Sequence, residues 1–138
     1  MNRTEEIELL EQLEQWNSKD EYSQCIQAIE AIPEQERGYL LTVKLSRAYS
    51  NLAVLGDHGV HGTDGEVDGD LIRHAIDLLE SVRTQGENDP YWNSRMGYSC
   101  LMAYRSAATA YEYAKCWLAL APDAPAAQKL VRDCEEYL

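Results

Sequence analysis

Apolar residues recur at intervals of three and four along almost the whole chain, and no stretch of strand length alternates strictly between apolar and polar residues. Intervals of three and four place side chains on one face of an α-helix, whereas alternation would indicate a strand. The pattern therefore predicts an all-α protein. Breaks in the pattern predict about seven helices, with apolar stripes over residues 7–16, 22–32, 41–52, 72–82, 92–104, 107–118 and 127–134.

Capping residues, prolines and glycines predict where these helices begin and end. Thr4 is predicted to cap the first helix, and Pro33 cannot continue the second without the loss of a backbone hydrogen bond. Asp89-Pro90 is typical of a helix start, because a capping residue precedes a proline at the first helical position. Residues 56–70 hold five of the eight glycines and no apolar stripe. They are predicted to form one long loop.

One segment near the C-terminus carries a repeat signature. Residues 110–122 begin with a small residue, have apolar positions four and seven residues later, and end in Pro122. This segment resembles the second helix of a tetratricopeptide repeat, a family with a period of about 34 residues. Met96-Gly97 resembles the Leu-Gly pair of that repeat's first helix. Cys25 and Ala75 take the small position in two looser copies of the repeat. The interval from Cys25 to Ala75 is 50 residues, and that from Ala75 to Ala110 is 35. The first interval exceeds the repeat period by about the length of the 56–70 loop.

The resemblance implies one domain, an α-solenoid of antiparallel helix hairpins over residues 1–138. Small residues let the two helices of a hairpin approach closely, and neighbouring hairpins bury the remaining apolar faces. About three hairpins and a cap are the minimum for a stable stack. The predicted hairpins are residues 4–32, 36–84 and 89–121, with the insertion 56–70 in the middle hairpin and a capping helix over residues 123–138.

Charge and composition exclude several classes of function. The chain has 12 basic and 24 acidic residues, a net charge of −12 and a pI near 4.5. This is the wrong sign for binding a phosphate backbone or an anionic membrane surface. No apolar run approaches the roughly 20 residues of a membrane span, and the acidic N-terminus is unlike a signal peptide. We therefore expect an acidic cytoplasmic protein without nucleic-acid or membrane partners.

The cysteines and tryptophans lie on the apolar stripes. No C-x-x-C pair occurs, so neither a zinc ribbon nor a thioredoxin-type redox pair is indicated. We expect free, buried thiols in a reducing compartment, with a reactive thiol as the alternative. The tryptophans are expected to pack in the core rather than to bind ligands. These residues are Cys25, Cys100, Cys116 and Cys134, and Trp16, Trp92 and Trp117.

Catalytic motifs are missing from the sequence. It contains no P-loop, G-x-G-x-x-G, G-x-S-x-G or H-E-x-x-H, so we expect a protein that is not an enzyme and has no cofactor. Residues 64–70 resemble the start of an EF-hand loop, but the twelfth position is Ala75 instead of a bidentate glutamate. A solvated acidic loop is expected, and divalent-metal binding is the alternative. The weak metal-ligand candidates are His58, His61, Asp64, Glu66 and Asp68.

Tetratricopeptide repeats generally bind peptides or helices in a concave groove lined by the first helix of each pair, so the resemblance implies a protein-protein interaction adaptor. Arg47 and Arg95 are expected either to hold a carboxylate of the partner or to neutralise nearby acids. The partner is expected to have a basic surface, and homo-oligomerisation, for example as a homodimer, is the alternative. The predicted exposed groove residues are Val43, Arg47, Ser50, Asn51, Tyr91, Ser94, Arg95, Tyr98 and Met102, with Glu8, Gln12 and Gln15 in the first repeat.

Overall fold

The computed structural model describes residues 1–60, 67–104 and 106–138. Over these residues the regular structure is entirely helical and no strand occurs, which confirms the predicted all-α class. None of the described helices combines the length and apolarity that a membrane crossing requires. The helices are α1 (Arg3–Ser18), α2 (Tyr22–Glu30), α3 (Tyr39–Leu55), α4 (Gly69–Glu80), α5 (Arg83–Gly86), α6 (Pro90–Tyr104), α7 (Ala107–Leu120) and α8 (Pro125–Glu135), with short 3-10 turns at Glu34–Glu36 and Asp57–Gly59.

Side chains cap the start of several helices. The side chain of Asn2, not Thr4, caps α1, because its Oδ1 accepts a hydrogen bond of 2.8 Å from the backbone N–H of Glu5. The prediction of Thr4 as the cap is therefore wrong by two residues. The predicted start at Asp89-Pro90 is confirmed, since α6 begins at Pro90 and Asp89 accepts a 3.0 Å hydrogen bond from the N–H of Tyr91.

The described residues contain one helix more than the seven predicted. This helix, α5, lies between the predicted apolar stripes of residues 72–82 and 92–104. Its single turn ends at Gly86. A Cβ atom at Gly86 would lie 2.2 Å from the indole ring of Trp92, so this glycine is required by close packing. Trp92 itself is almost wholly buried, as predicted, and its Nε1 donates a 2.9 Å hydrogen bond to the carbonyl oxygen of Leu79.

The chain divides into two compact units, Met1–Ala75 and Ile76–Leu138, and the division falls within α4. In the N-terminal unit, α2 packs on α3, and α1 packs on both. Ser46 on α3 donates a 2.7 Å hydrogen bond to the carbonyl oxygen of Ala75, which secures the N-terminal part of α4. The fully buried large side chains of this unit include Leu13, Ile29, Val43, Leu45 and Ile72.

In the C-terminal unit, α6 packs on α7, and α7 packs on α8. A Cβ atom at Gly97 on α6 would lie 3.7 Å from the carbonyl oxygen of Ala110 and 3.0 Å from the side chain of Leu130. Ala110 and Ala114 on α7 are wholly buried. Small residues on both helices therefore allow the close approach that the sequence predicts for residues 110–122. Stacking of the two units into a tetratricopeptide-type solenoid remains a prediction.

The thiols divide by their position around the helices. Cys25, Cys100 and Cys134 are buried and free, as predicted, and burial raises the pKa of Cys100 to about 11. Cys116 is exposed, which contradicts the prediction. It lies two residues after the buried Ala114, about 200° around α7, and therefore faces away from the packed side of that helix.

Candidate functional site

Two of the predicted groove positions on α3 are buried. Val43 is wholly buried and Ser50 nearly so, which contradicts their expected exposure. The reason is that α3 packs against both α1 and α2 and therefore buries residues around most of its circumference. Arg47 is also largely buried, whereas Asn51 is half-buried. Arg47 and Asn51 therefore remain as the candidates on α3.

On α6, the predicted groove residues fall into two groups. Ser94 is buried, contrary to expectation, because its Oγ donates a 2.6 Å hydrogen bond to the carbonyl oxygen of Tyr91 in the same helix. The others are half-buried or exposed and follow one face at helical spacing: Tyr91, Arg95, Tyr98 and Met102.

Aromatic contacts organise the middle of this α6 face. The guanidinium of Arg95 lies 5.8 Å from the ring centroid of Tyr98, and Tyr98 meets Trp117 on α7 edge to face, also at 5.8 Å. Such contacts hold ring planes in place by electrostatic attraction between charge, ring face and ring edge. The α6 face therefore presents a cation and an aromatic ring in a fixed arrangement.

In the N-terminal unit, Arg47 belongs to a cluster of three charges. Glu14 on α1 accepts a hydrogen bond of 2.8 Å from Nζ of Lys44, and the same oxygen lies 2.9 Å from NH1 of Arg47. One carboxylate thus bridges two cations on the neighbouring helix. The side chains of Lys44 and Arg47 are only 17% and 10% exposed, whereas that of Glu14 is 53% exposed.

The electrostatics of Glu14 follow from this bridge. Burial alone would raise the pKa of its carboxyl group, but the hydrogen bond from Lys44 and the charges of Arg47 and Lys44 outweigh that effect. The pKa of Glu14 therefore lies below its ordinary value of 4.5, and the carboxylate is charged at neutral pH. Among the described residues, Nε of Arg47 has no hydrogen-bond partner although it is buried.

A pair of amides continues the same contact between α1 and α3. Nδ2 of Asn51 donates a 3.1 Å hydrogen bond to Oδ1 of Asn17. Glu14 precedes Asn17 on α1 as Arg47 precedes Asn51 on α3, so the two helices run in the same direction. We name these five residues the polar seam: Glu14, Asn17, Lys44, Arg47 and Asn51.

Three members of the polar seam were missed by the sequence analysis. Glu14 is one of five glutamates on α1, so its position does not single it out. Lys44 is one of two charged residues on α3, and Asn17 follows the end of the first apolar stripe. A comparison at the repeat period would have found one of them. Asn17 and Asn51 are the same residue type 34 residues apart, one period of the tetratricopeptide repeat.

The C-terminal unit contains a second arginine cluster that the sequence analysis also missed. Nε of Arg83 donates a 2.8 Å hydrogen bond to Glu80, and NH2 donates one of 2.6 Å to the hydroxyl of Tyr113. Its guanidinium lies 5.0 Å from the ring centroid of Trp92 and 5.7 Å from that of Tyr113. The hydrogen bonds with Glu80 and Tyr113 raise the pKa of Arg83 above its ordinary value. The Arg83 side chain remains 40% exposed, so these contacts cover only part of it.

In the described part of the 56–70 loop, two acidic side chains bind backbone and side-chain groups of the protein itself. Asp57 accepts hydrogen bonds from the backbone N–H and the hydroxyl of Ser23. Asp68 accepts them from the N–H groups of Asp70 and Leu71, at 3.1 and 3.2 Å, and so caps α4. Residues 1–60, 67–104 and 106–138 contain no group of three or more potential ligands arranged for a metal ion. His58 is exposed, while His61, Asp64 and Glu66 lie outside the described residues.

Comparison with known proteins gave no match to a family model, to a curated protein or to a solved structure. The tetratricopeptide resemblance rests on the sequence features of residues 96–97 and 110–122.

Proposed function

We propose that this chain is a tetratricopeptide-like adaptor that binds a peptide or helix of a partner protein, without catalysis and without a cofactor. The observation that carries the proposal is the offset across the polar seam. Asn17 bonds to Asn51 across 34 residues, and Glu14 to Arg47 across 33. A period of about 34 residues is that of the tetratricopeptide repeat, in which equivalent positions on successive first helices lie side by side.

The polar seam supports a binding role because it combines the donors that peptide recognition requires. The guanidinium of Arg47 and the ammonium of Lys44 are suited to a carboxylate, and the amides of Asn17 and Asn51 are suited to peptide groups. In the C-terminal unit, the face formed by Tyr91, Arg95, Tyr98 and Met102 offers aromatic, arginine and methionine side chains. These residue types are enriched at protein interfaces.

Charge indicates what kind of partner fits. The net charge of −12 attracts a partner whose overall surface is basic, and this long-range attraction increases the rate of encounter. At short range, the cations of the polar seam select a carboxylate within that partner. Both contributions weaken as salt is added, because screening shortens the range of the interaction.

The test is affinity capture from an extract of the native host, with the wild-type chain and charge variants as bait. Arg47→Met keeps much of the buried aliphatic stem while removing the charge. Arg73→Met is the matched control, because Arg73 lies in the same unit, is 64% exposed and pairs only locally with Asp70. We expect a partner captured by the wild type and by Arg73→Met to bind Arg47→Met at least about tenfold more weakly in calorimetry. Arg95→Met tests the α6 face separately.

Circular dichroism must first show that each variant keeps the helical content of the wild type. Equal affinities for Arg47→Met, Arg95→Met and the control would contradict the proposed groove. Recovery of only the chain itself, with a doubled mass in light scattering, would instead indicate homo-oligomerisation.

A further inference from the structure

The basic pair of the polar seam is covered by a side chain of the protein itself. We propose that Glu14 is a built-in competitor that occupies Lys44 and Arg47 in the free protein and leaves them when a partner carboxylate binds. This inference rests on the proposed function, since it concerns how the same groove is opened. It makes the groove selective for partners that bring contacts beyond a single carboxylate.

The exposure of the three side chains gives the direction of access. Lys44 and Arg47 are 17% and 10% exposed, whereas Glu14 is 53% exposed. The carboxylate therefore lies on the solvent side of the cations it contacts. In the proposed exchange, a second carboxylate takes this place when the side chain of Glu14 rotates away, and the exposure of Glu14 leaves room for such a rotation.

The contact with Glu14 does not satisfy every hydrogen-bond donor of Arg47. Glu14 contacts Arg47 through NH1, at 2.9 and 3.2 Å, while the buried Nε has no partner among the described residues. An arginine with a purely structural role ordinarily has its buried donors satisfied. Arg83 provides the contrast, because both its Nε and its NH2 donate hydrogen bonds. The contact with Glu14 therefore leaves one buried donor of Arg47 unsatisfied.

Tethering makes Glu14 an effective competitor. A group attached to the same fold acts at an effective concentration of about millimolar or more, so a free carboxylate of low affinity does not displace it. A partner that also contacts the amides of Asn17 and Asn51 gains enough additional binding to do so. Removal of the charge at position 14 should therefore open the site even to small carboxylates.

The test uses glutarate, a simple dicarboxylate, as the probe. Glutarate is titrated to about 50 mM, above the expected effective concentration, into the nitrogen-15-labelled chain of 138 residues. The Nε–Hε signal of Arg47, assigned by its disappearance in Arg47→Lys, reports binding. We expect Glu14→Gln to show saturable shifts with at least about tenfold higher affinity than the wild type. Glu11→Gln, an exposed site on the same helix, makes the same charge change and should behave like the wild type.

Two further variants check that glutarate binds because the charge of Glu14 is lost and that it binds at Lys44. Glu14→Ala should behave like Glu14→Gln, and the addition of Lys44→Met to Glu14→Gln should abolish the binding. Equal shifts in the wild type and Glu14→Gln, or no shifts in either, would overturn the inference. The adaptor function is judged separately by partner capture, so a captured partner together with failed glutarate binding would refute the competitor alone.

Discussion

Arg47 in the N-terminal unit and Arg83 in the C-terminal unit are each held by a glutamate, but the origins of those glutamates differ. Glu14 lies 33 residues before Arg47 and on another helix, whereas Glu80 lies three residues before Arg83. Arg83 also lies against the rings of Trp92 and Tyr113. Arg47 is therefore held mainly by charge across a helix interface, and Arg83 by local geometry and aromatic packing.

The difference separates an arginine that can change partners from one that cannot. A carboxylate on a neighbouring helix can be replaced by another carboxylate, because the interaction depends on charge and on two or three hydrogen bonds. A guanidinium between two rings depends on its planar shape, which no incoming ligand reproduces. Variants that disturb packing should therefore damage the Arg83 cluster, and variants that alter charge should affect the polar seam.

The largest effect is expected when the packing below Arg83 is disturbed. Replacement of Gly86 by alanine places a methyl group 2.2 Å from the ring of Trp92, which is almost wholly buried. We expect the free energy of unfolding to fall by about 2–3 kcal/mol, because overpacking forces the indole out of its position. Urea denaturation monitored by tryptophan fluorescence measures this loss.

Gly69→Ala is the control for this variant. Among the described residues, no atom beyond the chain neighbours and the backbone of its own helix lies within 4 Å of a Cβ at Gly69. Alanine also favours the helix that begins there. Its stability should be unchanged or slightly higher. A Gly86→Ala variant as stable as Gly69→Ala would show that Trp92 has room to move.

The second largest effect on the free energy of unfolding is expected when each of the two arginines is replaced by lysine. Arg83→Lys keeps the charge near Glu80 but loses the planar group that lies over Trp92 and bonds to Tyr113, so we expect a loss of about 1 kcal/mol. Arg47→Lys keeps a cation beside Glu14, and we expect it to cost about half as much. Urea unfolding of both variants at the same ionic strength gives the comparison. A larger loss for Arg47→Lys would mean that its guanidinium is fixed by shape as well.

The sequence predicted the helices well because helical spacing is a local property. The buried stripe of Ile72, Ala75, Ile76 and Leu79 was predicted from spacing alone and is confirmed. Small residues at Ala75 and Ala110 likewise predicted close helix contacts, and both side chains are wholly buried. These features depend on residues a few positions apart.

Properties that depend on a second helix were not predictable in the same way. Val43 was expected to be exposed, but α3 packs on two neighbours, so it is buried. Glu14 and Lys44 form their contacts only when α1 and α3 lie side by side, and α5 exists because Gly86 fits beneath Trp92. In each case the deciding contact joins residues on different helices, and helical spacing describes only residues within one helix.

The smallest effect concerns the acid side of the pH profile, which reports the charge of Glu14. Its pKa lies below 4.5 in the folded protein, so the carboxylate stabilises the fold above the pKa of the unfolded chain, about 4.3. This stabilisation is lost as the pH falls through the lower, folded-state value. Because the side chain is 53% exposed, we expect it to amount to less than about 1 kcal/mol.

Unfolding free energies of the wild type, Glu14→Gln and Glu11→Gln, measured between about pH 7 and pH 3, test this expectation. The wild type should be more stable than Glu14→Gln at neutral pH, and the difference should shrink as the pH falls, because protonation of Glu14 removes the same charge that the substitution removes. Glu11 is exposed on the same helix, so Glu11→Gln controls for the loss of one negative charge from α1. If the Glu14→Gln difference stays constant down to about pH 3, the carboxylate is not held by Lys44 and Arg47 in solution. The polar seam would then be open in the free protein, and its cations would be accessible to a partner without displacement of Glu14.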